Sequence, residues 1–239
     1  IMEVSFAISA RTAKLIGMEN FANAEGAIVE LVKNAYDADA EICYVVVDIR
    51  KSSSESRIFI IDNGSGMSED TIIKHWMTIG TDDKLVNAKT VGKQRVKSGA
   101  KGIGRFALNR LGHKAEMITF NNTDDGHFWT VDWRIFEEAK VLSDIKATLN
   151  DISRQDAAIW FEKYGLKSIP VYEKLKAGDF HGTVLCVSDL NDTWATENLE
   201  NLQKNLENLI PEHMQSTFSL YLYNLKDLTW CGKIAPVEY

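Results

Sequence analysis

No apolar run in this chain approaches the ~20 residues of a bilayer-spanning helix, and its start lacks a basic segment followed by an apolar signal core. The expectation is a cytoplasmic protein with no membrane partner. Cysteine is scarce: Cys43, Cys186 and Cys231 lie far apart, with no Cys-x-x-Cys spacing for zinc or a redox pair, and three is an odd number for a disulfide framework. They are expected to be reduced, mostly packed thiols. An excess of positive charge is missing too. The 27 Lys and Arg against 34 Asp and Glu leave a net charge of -7, which excludes a wholly basic nucleic-acid surface and confines any basic site to a local patch. There is no internal repeat and no low-complexity segment. What is present is an ordinary globular balance, 45% hydrophobic and 26% charged over 239 residues, enough for one sizeable core or a domain with an appendage. Ile1 stands before Met2, so the chain is expected to be a piece of a longer protein.

Periodicity predicts a helix over about Glu19 to Asp39, with Phe21, Ile28, Leu31, Val32 and Ala35 on its apolar stripe. The β-branched run EICYVVVDIR reads as a strand, SSSES as a turn and IFII, Ile58 to Ile61, as a second strand. Ser68, followed by two acids, reads as the N-cap of a helix in SEDTIIKHWMTIG. Over residues 82–101 periodicity disappears, and a loop of that length in a compact domain points to a lid or binding loop. A short helix in IGRFALNRLG, two strands in KAEMITFNN and HFWTVDW, a helix around Gln155 to Tyr164, a buried strand in GTVLCVSDL and a leucine-striped helix over Leu199, Leu202, Leu206 and Leu209 complete the pattern. Pro211 ends that last helix. Residues 1–210 are therefore expected to form one domain, and 211–239 to begin a following region.

Three places in this pattern carry chemistry. In IFIIDNGSGM an apolar strand delivers Asp62 to its own mouth, where a carboxylate is costly unless a donor arrives to pair with it. Asp62-Asn63-Gly64 alone would be an ordinary turn, but Gly66 two residues on is not explained by that. On the first helix Glu30, Asn34 and Asp37 are four and three residues apart, and so project from one face. Such a face is ordinarily just solvated. In GAKGIGRFA, Gly99, Gly102 and Gly104 precede a helix, so bare amides could wrap an anion there, though glycine loops also serve simply as tight turns. Thr183, before a buried strand, means nothing alone.

Taken together and in this order, ELVKNAYDA, DNGSGM, GTDDK, GAKGIGRFA and GTVLCV resemble the nucleotide site of the GHKL ATPases: DNA gyrase, the large heat-shock chaperones, histidine kinases and MutL. The resemblance covers about Glu25 to Leu190, and its middle motifs look closest to the MORC and MutL side. It implies an α+β fold, a two-layer α/β sandwich of the Bergerat type, with a mixed sheet, helices on one face and a mobile ATP lid. It implies ATP and Mg2+ as ligands. Asp62 would accept from the adenine amine, Gly64 and Gly66 would let the backbone approach base and ribose, Met67 would pack on the ring, and Thr183 would help Asp62 hold a water there. Asn34 would be a magnesium ligand and Glu30 would orient or deprotonate the attacking water, with Asp37 supporting them. Gly99, Lys101, Gly102, Ile103 and Gly104 would cradle phosphate, with Lys84 reaching it from the GTDDK motif.

The implied activity is slow hydrolysis of ATP to ADP and phosphate, coupled to ATP-dependent homodimerisation and a conformational clamp. Two alternatives stay open: a histidine-kinase-like phosphotransfer domain, against which Glu30 argues, and a nucleotide-sensing clamp with negligible turnover. Lys84, Lys89, Lys93, Arg95, Lys97, Lys101 and Arg105 are expected around the phosphate loop, where contact of the full-length protein with nucleic acid also stays open. His75, His113, His127, His181 and His213 read as surface or packing residues.

Overall fold

The computed structural model describes residues 15, 19–78, 90–93, 95, 106–123, 126–135, 139–140, 144–209 and 217–235. Along them run α1 (Ala24–Asp37), β1 (Ile42–Asp48), β2 (Arg57–Asp62), α2 (Glu69–Thr71), α3 (Phe106–Leu111), β3 (Gly112–Phe120), β4 (Gly126–Asp132), β5 (Thr148–Asp151), α4 (Arg154–Lys163), α5 (Val171–Ala177), β6 (Gly182–Leu190), α6 (Thr196–Leu209), β7 (Ser219–Asn224) and β8 (Gly232–Lys233). The eight strands form one sheet in the order β5-β4-β3-β6-β2-β1-β7-β8. Only β1 and β7 pair in parallel; every other neighbouring pair is antiparallel. The architecture is α+β with a mixed sheet.

Period-two alternation divides the central strands between two cores. Cys43, Val45 and Val47 of β1, Ile58 and Ile60 of β2, and Leu185 and Val187 of β6 join the apolar sides of α1, α3 and α6. The intervening Tyr44, Val46, Phe59, Ile61, Val184 and Cys186 face the other way, onto Trp160 and Phe161 of α4 and Tyr172 and Leu175 of α5. Strands buried on both faces read as continuous apolar runs, as VVV and IFII do. Helices on one face thus describe the side that carries α1; the segment from residue 154 to 180 adds a partial third layer behind the sheet.

Helix α1 begins at Ala24, later than the Glu19 that periodicity predicts, because Asn23 caps it: its side-chain oxygen accepts from the Gly26 amide at 2.8 Å. Ala24, Ala27, Ile28, Leu31, Val32 and Ala35 are buried, so the predicted stripe is the packed one, with Phe21 partly buried beside it. Ser68 caps α2, its hydroxyl accepting from the Thr71 amide at 3.2 Å. That helix then widens into a π-helical turn over Ile72–Trp76. Residues 219–233, set apart by the sequence reading as part of a following region, supply β7 and β8 of this same sheet. The alternation Leu220, Leu222 against Tyr221, Tyr223 lets β7 bury one side toward α1 while its tyrosines stack beside Tyr44.

Candidate functional site

Asp62 ends β2, the strand between β1 and β6, and alternation with Ile58 and Ile60 points it to the helix-bearing side. Register carries the same position across the sheet. Asp62 pairs with Cys43 on β1 and with Thr183 on β6, and Thr183 pairs in turn with Thr119 on β3. Cys43, Asp62, Thr183 and Thr119 therefore form one row over four adjacent strands, on the face that α1 covers. Asp62 is only 6% exposed and makes no ion pair among the described residues. Its Oδ1 accepts from the Gly64 amide at 2.7 Å, and the Thr183 amide also bonds the carboxylate. Burial nevertheless dominates and pushes the Asp62 carboxyl up to about 6, against those two amides and the nearby His181. The same burial, with the Asp62 charge, pushes the Cys43 thiol well up, so this cysteine is an inert wall rather than a nucleophile.

The glycine motif folds back over this row. Asn63 accepts from the amides of Glu41 and Ile42, both at 2.8 Å, which ties the turn to the start of β1. The Ser65 amide donates to the Ala38 carbonyl at 2.8 Å, which ties it to the end of α1. A Cβ on Gly64 would lie 2.7 Å from that same Ala38 oxygen, and Gly66, at φ +65°, would place one 1.9 Å from the Phe120 carbonyl. Neither position admits another residue without moving backbone. The Gly64 carbonyl contacts Nδ1 of His181 at 2.8 Å; a carbonyl only accepts, so Nδ1 carries the proton. Met67 follows with its amide donating to the Thr119 hydroxyl at 2.9 Å and its side chain against the α1 core.

On α1, Glu30, Asn34 and Asp37 lie outside the buried stripe and are partly exposed. The Lys33 ammonium stands 3.9 Å from Glu30. The loop contact to Ala38 sets the Asn34 end of this helix beside the Asp62 turn. Among the described residues no three His, Cys, Asp or Glu side chains gather into a metal-binding group. An oxygen donor such as the Asn34 amide fits an ion that shares its shell with phosphate oxygens and water.

The expected phosphate contacts Lys84, Gly99, Lys101, Gly102, Ile103 and Gly104 lie outside the described residues, as do Lys89, Lys97 and Arg105. Two other basic residues of that stretch are engaged elsewhere. Lys93 pairs with Glu41 at 2.6 Å. Arg95, 7% exposed, donates to the carbonyls of Tyr36 at 3.2 Å and of Ala40 and Thr217 at 2.6 Å, with its guanidinium 4.4 Å from the Tyr36 ring centroid. It fastens the end of α1, where carbonyls lack helical partners, to the approach to β7. Asp39, at φ +62°, accepts from the Thr90 hydroxyl and from the Gly92 amide at 2.8 Å. Burial raises its carboxyl, but Thr90, the amides of Gly92 and Lys93, and Arg95 outweigh that and hold it below the usual value.

A buried carboxylate at a strand end, two glycines that must be glycine and a polar helix face thus meet at one edge of the sheet. The model of the histidine kinase-, DNA gyrase B- and HSP90-like ATPase family matches residues 22–158, more than half of the chain. The chain belongs to this family. No curated protein matches it. As a GHKL ATP-binding domain it places the matched segment on α1, the Asp62 turn and the strands β3 to β5, while Thr183 lies past the matched stretch and joins the Asp62 row through β6. Thr119 is not singled out by the sequence, and His181 reads there only as a surface or packing residue. Thr119 sits in an apolar strand and His181 in a polar turn, and nothing local distinguishes either; their partners are 52 to 117 residues away.

Proposed function

We propose that this domain binds ATP through Asp62 and hydrolyses it to ADP and phosphate. The observation that carries the reading is the Asp62 carboxylate: desolvated, without a counter-ion among the described residues, and walled by the glycine turn and Thr183. Above its pKa of about 6 it is an acceptor only, and the adenine amine is a donor of matching polarity. Guanine offers a carbonyl at that place and would set acceptor against acceptor. Thr183 assists Asp62 at the base edge, Met67 packs on the ring, and Gly64 and Gly66 bring backbone close to base and ribose. Asn34 holds Mg2+, which when bound neutralises charge on the phosphate oxygens. Glu30, one turn earlier on α1, orients the attacking water and takes its proton. Gly99 to Gly104, with Lys101 and Lys84, cradle the phosphates.

Binding on this reading drives pairing of two copies and a clamp-like change, on the MORC and MutL side of the superfamily, with turnover slow until a cation from a following domain reaches the γ-phosphate. The described tail offers Lys226 and Lys233; Lys233 lies exposed on the edge strand β8. No helix among the described residues is long and apolar enough to cross a membrane. Calorimetry with ATP, ADP and GTP in Mg2+, light scattering with a non-hydrolysable ATP analogue, and phosphate release test the proposal. Binding of ATP over GTP by at least tenfold is expected; equal affinities would refute the Asp62 role.

A further inference from the structure

Thr119 is completely buried, yet its hydroxyl joins three segments of the base pocket. Its Oγ1 lies 2.9 Å from the Met67 amide, 3.1 Å from the Gly182 carbonyl and 3.1 Å from the Thr183 hydroxyl. A hydroxyl has one proton to give and two lone pairs. The Met67 amide, which can only donate, takes one lone pair. The proton then has two destinations. Given to the Gly182 carbonyl, it leaves Thr183 to donate into Thr119, so the pocket meets only acceptors, Thr183 and Asp62. Given to Thr183, it frees the Thr183 proton for the base. The adenine edge is a donor amine beside an acceptor ring nitrogen, and only the second arrangement sets a donor next to the Asp62 acceptor.

We infer that Thr119 is a positioning residue of the adenine pocket: its hydroxyl ties the first glycine motif to the threonine strand and, with base bound, donates to Thr183 so that Thr183 presents its proton to the base or to a water on it. The inference rests on the nucleotide reading above. Thr119 itself touches no nucleotide; it sets the place of Met67 and the polarity of Thr183. Removing the hydroxyl strands the Met67 amide, a backbone donor at the pocket wall, and leaves Thr183 without the donor that sets its polarity.

Two roles for a buried threonine predict opposite orders of variants. If Thr119 only fills volume, Thr119→Val keeps the shape and adds apolar surface, whereas Thr119→Ser leaves a void. If the hydroxyl positions the pocket, Thr119→Ser retains wild-type affinity and Thr119→Val loses it by about tenfold or more. The loss should be equal for ATP, ADP and adenosine, since it arises at the base, and kcat at saturating ATP should change less than twofold. Calorimetry and KM against kcat on this chain give the order directly. Thr119→Ala, which also lacks the hydroxyl, substitutes should Thr119→Val not fold, and must likewise bind more weakly than Thr119→Ser. Wild-type affinity in the valine or alanine variant overturns the inference while leaving the nucleotide site standing. A wild-type chain that binds no adenosine, ADP or ATP overturns both.

Discussion

The Asp62 carboxylate gives the sharpest handle, because it makes stability and binding depend on pH in ways that ordinary surface carboxylates do not. A carboxyl that titrates near 6 rather than 3.8 makes its ionisation about 3 kcal/mol costlier in the folded protein than in the unfolded chain. The folded protein holds this proton more tightly, so the contribution of the group is fully present below about pH 4 and is lost as the pH rises through about 6. Asp62→Asn cannot ionise and escapes that cost. The stability of Asp62→Asn relative to wild type should therefore climb by up to about 3 kcal/mol between about pH 4 and 6 and stay level above. Taking the difference between the two proteins cancels the other carboxylates, among them Asp39 and Asp132, whose depressed values act in the opposite sense.

Nucleotide binding reverses the picture. The amine favours the charged carboxylate, so wild-type affinity should be level above about pH 6 and fall by up to tenfold per unit below it, whereas Asp62→Asn should bind about tenfold or more weakly at neutral pH with no such slope. Adenosine is the better probe for the slope, since it carries no phosphate that titrates in the same range. Urea denaturation and calorimetry across pH 4.5 to 7.5, about the range in which the group changes charge, read both quantities. A stability difference that does not change over this window, or an adenosine affinity equally level in both proteins, would refute the argument that Asp62 is a desolvated carboxylate awaiting a donor.

Glu30→Gln should bind ATP within about threefold of wild type and slow phosphate release by roughly a hundredfold or more, as expected for losing a positioned base; equal loss of affinity and turnover counts against that role. Asn34→Ala should bind adenosine normally while the gain in ATP affinity on adding Mg2+ shrinks by about tenfold, measured by titration with and without chelator. Arg95→Met removes a buried cation shared by three carbonyls, and thermal or urea unfolding should show a loss of about 2–4 kcal/mol; an unchanged midpoint would mean that the fastening of α1 to the approach to β7 contributes nothing.

How much of this was legible depended on whether the cause lay within a few residues. Ser68 caps its helix through an amide three positions on, and the α1 stripe repeats every turn, so these could be read directly, whereas periodicity passes over the equally local Asn23 cap and starts α1 too early. The Asp62 turn is likewise visible in the order of the letters, its carboxylate accepting from an amide two residues away, although what Asn63, Gly64 and Gly66 meet, at Glu41, Ile42, Ala38 and Phe120, lies far along the chain. The α4 and α5 layer was legible only as a helix around Gln155 to Tyr164, because nothing in an amphipathic helix states which side of a sheet it will cover. Arg95 was misassigned for a different reason. Its partners are main-chain carbonyls of Tyr36, Ala40 and Thr217, and a carbonyl has the same signature at every residue, so a lysine- and arginine-rich stretch reads as a basic surface whichever of its members is in fact buried.

Strand order explains the remaining difference. Within each strand the alternation was visible, so that Thr119 shares a side with Ala115 and Met117, and Thr183 with Leu185 and Val187. That β6 then lies between β2 and β3 is a property of the sheet, set by which apolar faces close over α1, α3 and α6 together. Once it does, the register leaves no freedom: opposing Asp62 to Thr183 and Thr183 to Thr119 follows from the pairing of Phe59 with Cys186 and of Met117 with Leu185. A slip of one residue in β6 would turn Val184 and Cys186 toward α1 and put Thr183 behind the sheet. The same apolar alternation that buries the core therefore holds a carboxylate and two hydroxyls in line at its edge.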